Sequence, residues 1–368
     1  MRFAFTEDQD ELRRTVRGFL ERHATATIVR AAAESGDGLA DEAWARLVAE
    51  MELTSLAIGL ERGGAGASFV EVGVALEELG RTLLPVPYLP TVVAAAALEH
   101  ADSAAARSLL ERIVAGAAAT IALEEPGAGL LARGAGEDLR VDGLVEHVLD
   151  GAHAELLLIA AELDGEPALL AVQAGADGVA VEPHTTLDQT RRQASVRLTG
   201  ARAVRISSPG EGAALLDRAR DVLAVALAVE CVGAAARCLE LTVSYLKERV
   251  QFGRPIGSFQ ALKHRCADLA VALESARSTA YYAMWAVDGA PEELPILAPL
   301  AQAVCVEAFA LIAAETIQLH GGIGFTWEHD AHLYFKRAKA TELLGGGTRA
   351  QRRLVGVRAG LTGGPSRR

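Results

Sequence analysis

Four long stretches with apolar residues at helical spacing fill the C-terminal part of this chain, over residues 215–247, 259–287, 294–320 and 330–344. The joints between them are short. Helices of that length must bury their apolar stripes against one another, and short joints make neighbours antiparallel. An antiparallel four-helix bundle is therefore expected. Apolar residues make up 51% of the chain but aromatics only 5%, so the packing is predicted to rest on Ala and small aliphatic side chains.

The remainder divides by texture. Thr6 is placed to cap a first helix, with Glu7 and Asp8 in its first turn and Leu12, Val16, Phe19 and Leu20 at helical spacing. A second amphipathic segment carries Trp44 and Leu47, and a third helical pattern over 69–82 stops at a proline cluster. Between them GLERGGAGAS lacks the Gly-Lys-Ser/Thr ending of a phosphate loop and reads as turn chemistry. From Ala119 to about Ser207 the segments become short and β-like, AELLLIAA, PALLAVQ and ASVRLTG among them, with Gly and Asp turns between. The expected organisation is α+β and multidomain: a helical domain over 1–118, a β-domain over 119–209 and a helical bundle over 210–368.

Net charge is −12, which gives no general electrostatic case for nucleic acid or an anionic membrane; an anionic ligand would need local cations. Cys231, Cys238, Cys266 and Cys305 lie in apolar helical patterns with no Cys-x-x-Cys pair, and the acidic N-terminus has no signal-peptide core. The longest apolar run, 294–317, is interrupted by Gln302, Glu307 and Glu315 and reads as a helix buried in protein. The cytoplasm is the expected compartment.

Two corners stand out. In KERVQFGRPIGSFQ, residues 247–260, an Arg, an aromatic and a run of turn residues join two long helices. Arg249 could grip a phosphate bidentately there, with backbone N–H groups as further donors, or the stretch could be only a solvated helix-to-helix turn. In QLHGGIGFTWEHD, Gln318, Gly321, Gly322 and Gly324 form a second tight corner, readable as a helix C-cap or as a binding loop. Together the corners could hold a diphosphate and a base between subunits. His320, His329 and His332 cluster nearby but lack the acids or further His that a metal site wants, and no Gly-x-Ser-x-Gly elbow supports nucleophilic hydrolysis.

The α–β–α order, with RVQFGRPIGSFQ after one bundle helix and QLHGGIGF after another, resembles the acyl-CoA dehydrogenase family over essentially the whole chain. FTEDQDELRRTVRGFLE is similar to that family's opening helix, EEPGAG to its TEPGAGSD segment, and VDGLVEHVLDGAHAELLLIAA to its β-domain hairpin. The resemblance implies FAD, a homotetramer or dimer of dimers, an electron-transfer flavoprotein-like acceptor, and α,β-dehydrogenation of an acyl-CoA. In that reaction a carboxylate takes the α-proton while the β-hydrogen leaves as hydride to the flavin. Carried over residue by residue, Arg249, Gln251, Phe252, Phe259, Gln260, Gln318, Gly321 and Gly322 are implied FAD contacts reaching towards a neighbouring subunit's cofactor. Thr348 matches a threonine near the adenosine ribose.

The departures are as informative. Where the family carries its usual base, in a Tyr-Glu-Gly-Thr segment, this chain reads Gly345-Gly346-Gly347-Thr348, with Gly346 at the Glu position. An alternative base position falls at Leu223; Asp221 and Glu230 are the nearby acids, and a buried Glu230 paired with an Arg is the ordinary alternative. On the flavin side, Glu124 and Leu130 replace a Thr and a Ser, and Val148 stands for the usual aromatic. The expectation is a glutamate-lacking subunit of a heteromeric α2β2 enzyme resembling those of actinobacterial steroid side-chain catabolism, acting on a bulky acyl-CoA. A homomeric flavoenzyme with oxidase or monooxygenase chemistry, and a flavin-free structural subunit, are the alternatives.

Overall fold

The computed structural model describes residues 4–34, 39–123 and 129–361. The N-terminal part holds α1 (Glu7–His23), α2 (Ala26–Glu34), α3 (Leu39–Met51), α4 (Phe69–Thr82), α5 (Tyr88–Glu99) and α6 (Ala104–Val114). Strands follow: β1 (Ala119–Ala122), β2 (Leu131–Arg133), β3 (Arg140–Leu149), β4 (Leu156–Leu163), β5 (Glu166–Gln173), β6 (Val179–Pro183), β7 (Gln193–Arg202) and β8 (Val204–Arg205). The C-terminal part is α7 (Gly212–Glu248), the short ladder β9 (Val250–Gln251) and β10 (Arg254–Pro255), then α8 (Gln260–Gly289), α9 (Leu294–His320), α10 (Ala331–Thr341) and α11 (Gly347–Arg358). A helical N-terminal region, a central sheet and a C-terminal bundle are thus present as expected. Glu124 and the tail from residue 362 lie outside the described residues. Two helices, α2 and α11, were not legible in the periodicity.

Local chemistry explains the starts. Thr6 caps α1 through a reciprocal pair: the Gln9 N–H donates to Thr6 Oγ1 at 3.2 Å and the Thr6 N–H donates to Gln9 Oε1 at 3.0 Å.

Contacts divide the chain into two compact units that cut across sequence order. One takes residues 31–72 and 85–223, and so contains the sheet. Its strand order is β6-β7-β3-β2-β4-β5-β8, with β1 parallel to β4. Val141, Val145, Val148, Leu157, Ile159, Leu170, Val196 and Leu198 form its core, with Leu130. The buried Thr91 hydroxyl of α5 both donates to the Ala119 carbonyl and accepts from its N–H, each at 3.0 Å, tying that helix to β1.

The other unit takes the described residues up to Arg30, then residues 73–84 and everything from Ala224 on. Here α4 crosses α7 at glycines. A Cβ on Gly80 would meet the Glu230 carbonyl oxygen at 2.2 Å, and one on Gly233 would meet the Glu77 carbonyl oxygen at 1.8 Å. Adjacent buried carboxylates of α4 tie that helix to α1 and α8. Glu77 pairs with Arg13 at 3.1 Å and accepts from the Tyr281 hydroxyl at 2.8 Å. Glu78 takes a bidentate bond from Arg17 at 2.8 and 2.7 Å and approaches Arg81 at 3.5 Å. By length and composition α7 and α9 could cross a membrane, but 78% and 67% of their apolar windows are buried within the protein, so they are the inner helices of the bundle.

Candidate functional site

The first corner is a two-residue β-hairpin. Gln251 pairs with Arg254 and Val250 with Pro255, and Phe252 and Gly253 turn the chain at φ 54° and 77°. Two left-handed central residues make the type I′ turn that matches strand twist, a geometry for which Gly and Asn are the ordinary choices. Phe252 therefore carries a local strain of roughly 1–2 kcal/mol, and its ring is 90% exposed. The Arg249 carbonyl accepts from the Ile256 N–H at 2.8 Å, which continues the ladder by one pair. Strand alternation then puts Arg249 on the same side as Gln251. The Arg254 guanidinium lies 4.2 Å over the Phe259 ring, and Phe252 meets that ring edge-on with centroids 6.1 Å apart. Gln260 is exposed and hydrogen bonds with His264 at 3.0 Å. Gly257 is required by packing, since a Cβ there would stand 2.8 Å from the Leu246 carbonyl oxygen.

The second corner ends α9. Gly321 leaves the helix at φ 64°, ψ −139°, a conformation open essentially to glycine alone, and its N–H donates to the Gln318 carbonyl. Gly322 has no such backbone demand, and a Cβ on it would meet nothing within 4 Å. Nothing among the described residues requires glycine there; the bare backbone is open to a group from outside.

Packing brings both corners to one end of the bundle. Tyr245, one turn before Arg249, stacks on His320 at 4.6 Å, and Arg265 pairs with Glu315 at 2.7 Å between the start of α8 and the end of α9. Arg249, Gln251, Phe252, Phe259, Gln260, Gln318, Gly321 and Gly322 therefore share one surface. Thr348 does not. It begins α11, and the turn just before that helix is held to the first half of α9 by Gln302, whose amide donates to the Leu344 carbonyl at 3.1 Å. Gln302 and Gln318 are sixteen residues apart, roughly 24 Å along the helix axis.

Gly345, Gly346 and Gly347 are all left-handed, at φ 61°, 80° and 76°. Two buried carboxamides hold this turn: Gln302 as above, and Gln351 donating to the Gly345 carbonyl at 2.5 Å. Any side chain at Gly346 would be strained, a carboxylate included. Glu230 is buried against Arg337 at 3.2 Å, the ordinary ion-pair reading of that residue. Asp221 is buried in the sheet-bearing unit and is not without a partner. Val148 lies in the sheet core, because a bulge between Val145 and Val148 reverses the strand's alternation. The exposed neighbour is His147, at φ 58°, bonded to Gln193 at 3.2 Å and edge-on to His184 at 5.1 Å.

The late histidines pack on rings. His320 and His329 lie 4.3 Å apart, His320 bonds to the Thr316 carbonyl at 2.6 Å, and His332 meets Trp327 edge-on at 4.7 Å. Burial, then the charges of Lys336 and Arg30, push His332 down to about 4, and burial lowers His320 and His329 as well. In the unfolded chain these rings take up protons near 6.5, so stability is expected to fall as pH drops from about 6.5 towards 4. Denaturation midpoints at pH 7 and 4.5 check this, and His332→Phe should flatten the dependence; an unchanged slope would dismiss His332 as its source.

Residues 6–117 match the family described as acyl-CoA dehydrogenase, N-terminal domain, and residues 210–360 match acyl-CoA dehydrogenase, C-terminal domain. The chain is 38% identical over 350 residues to the acyl-CoA dehydrogenase IpdE2 of Mycolicibacterium smegmatis, covering 95% of this chain and 98% of that one. Among solved structures it is similar to the Tcur3481-Tcur3483 steroid ACAD G363A variant, with 33% identity and TM-score 0.88 over 96% of this chain and 99% of that one. It is also similar to the ChsE4-ChsE5 complex from Mycobacterium tuberculosis, with 30% identity and TM-score 0.89 over 99% of this chain and 100% of that one. The protein belongs to the acyl-CoA dehydrogenase family. It is an oxidoreductase, and its cofactor is FAD. The residues present fit such a group: hairpin cations that have no carboxylate partner among the described residues, and the backbone of Gly322, where a Cβ would meet nothing within 4 Å.

Proposed function

We propose that this chain is one half of a two-chain acyl-CoA dehydrogenase: it lends its two corners to a FAD shared with a second family member, and that partner supplies the general base. The observation that carries the reading is the left-handed glycine turn at Gly345–Gly347, in the segment where the family places its glutamate. Gly346 has no carboxylate to present to the α-proton, any side chain there would be strained, and Glu230 is already committed to Arg337. The exposed Arg249, Gln251 and Gln318 are kept for binding.

FAD, when bound, supplies the hydride acceptor. This chain's share is then positional. Arg249 and the hairpin backbone hold a diphosphate, Gln318 with Gly321 and Gly322 offers polar groups and open backbone to the nucleoside end, and the exposed ring of Phe252 excludes water there. Thr348, on another part of the bundle, would serve a different cofactor-binding surface from the corners.

A bulky acyl-CoA, of the steroid type that one similar structure is described as handling, is the proposed substrate. Two similar structures are described by pairs of subunit names, which supports the heteromer. An electron-transfer flavoprotein-like acceptor and a cytoplasmic location complete the reading. The chain expressed alone, and then with a second acyl-CoA dehydrogenase chain encoded beside it, is to be compared by flavin absorbance and subunit ratio. Flavin near one per pair, only in the mixed complex, is expected; a homotetramer with one FAD per chain would overturn the proposal.

A further inference from the structure

We infer that Arg254 is a second phosphate-gripping residue of the hairpin, so that the arm takes a diphosphate with two guanidiniums, and that Phe259 acts through Arg254 as its positioning residue. The inference rests on the reading of the hairpin as a cofactor-binding arm; Arg254 is a side chain that the motif resemblance does not assign, and Phe259 takes a role through it.

Three observations converge. The ladder register sets Gln251 opposite Arg254, and alternation sets Arg249 beside Gln251, so two guanidiniums and a carboxamide share one side of the hairpin. Neither Arg249 nor Arg254 makes an ion pair among the described residues, although acidic residues outnumber basic ones by 48 to 36 and Arg13, Arg17, Arg81 and Arg337 are each matched to a carboxylate. And Arg254 is not left to wander: its guanidinium sits 4.2 Å over Phe259, whose ring is itself braced by Phe252 at the strained turn. An arginine held by a ring in one orientation, with its N–H fork unmet, gives up little further freedom when it binds. A diphosphate offers two phosphates with separate oxygen pairs, one for each fork. Gln251 between them can donate to a bridging or terminal oxygen.

FAD and coenzyme A both carry a diphosphate, so the test measures both. The assembled enzyme is prepared with Arg254→Met, which keeps an apolar stem over Phe259 and removes the charge, with Phe259→Leu, with the double variant, and with Arg249→Ala as the reference. FAD dissociation is read from flavin fluorescence and coenzyme A binding by calorimetry, at low and moderate salt. Melting curves check that each variant is folded, which the exposed position of the hairpin favours.

Loss of a charge-assisted hydrogen bond is expected to weaken the gripped ligand roughly tenfold or more in Arg254→Met, with a shallower salt dependence. Phe259→Leu should weaken binding by less, and should add nothing once Arg254 is gone, a coupling that a merely structural role for the ring does not produce. A drop for FAD identifies its diphosphate as the ligand; a drop for coenzyme A with FAD unchanged identifies the thioester's. Both affinities within twofold of the parent, while Arg249→Ala still loses FAD, overturns the inference and leaves the two-chain reading standing. Arg249→Ala without effect removes the arm reading itself.

Discussion

Glu78→Ala is expected to lower the unfolding free energy by about 3 kcal/mol, towards the lower end of the range for breaking a buried ion pair. Glu78 is 1% exposed and receives both forks of Arg17, with Arg81 at 3.5 Å. Removing it takes the carboxylate from Arg17, while Arg81 keeps Glu240 at 2.6 Å; Arg17 is 43% exposed and can recover water, which is why the upper end of the range is not reached. Glu78→Gln keeps one acceptor oxygen and should cost less. Urea denaturation followed by far-ultraviolet circular dichroism checks both, and a loss below about 1 kcal/mol would mean that the network contributes little beyond its packing. A wrongly placed charge here should also loosen α1, since Arg17 belongs to that helix.

Gly233→Val is expected to be at least as damaging, at about 3 kcal/mol, with insoluble protein as the extreme outcome. The obstacle is backbone: an added Cβ stands 1.8 Å from the Glu77 carbonyl oxygen, so no rotamer relieves it and the helices must part. Parting them also stretches the Arg81–Glu240 pair, which joins α4 to α7 at 2.6 Å. Gly80→Ala opens the same crossing from the other side, against the Glu230 carbonyl oxygen at 2.2 Å. The two substitutions should therefore cost less together than the sum of each alone, because one separation accommodates both. Strict additivity of the two midpoints would show that they do not act on one contact.

Much of the architecture was legible because its signals are local. Helical periodicity marked α7, α8 and α9 to within a few residues, and the Thr6 capping box lies within four consecutive residues. Alternating apolar residues and Gly or Asp turns marked the strands from β3 to β8. The two corners were legible as well, because Arg, Phe, Gly and Gln at fixed short spacing are a sequence property. Their meeting at one end of the bundle needed only that long helices with short joints run antiparallel.

The misses share a physical cause. Val148 was matched to the family's flavin-side aromatic with no account of where its side chain goes; one extra residue in β3 between Val145 and Val148 turns it inward and turns His147 out. A bulge is decided by pairing with β7, some fifty residues away, and leaves little trace in the strand itself. Helix α11 was hidden by three glycines that periodicity treats as a stop, although buried Gln302 and Gln351 hold that turn against α9. The role of Glu230 turned on Arg337, 107 residues later, and no spacing rule connects them.

By itself, then, the sequence determined the order of helices and strands, the family, and which residues form the two corners, because each depends on neighbours a few positions apart. The tertiary structure alone decided that Thr348 lies away from the corners, that Arg254 is stacked on Phe259, and that Gly346 stands in a left-handed turn. Those outcomes depend on how distant segments pack and on backbone torsions that the packing enforces, and neither is written in local spacing.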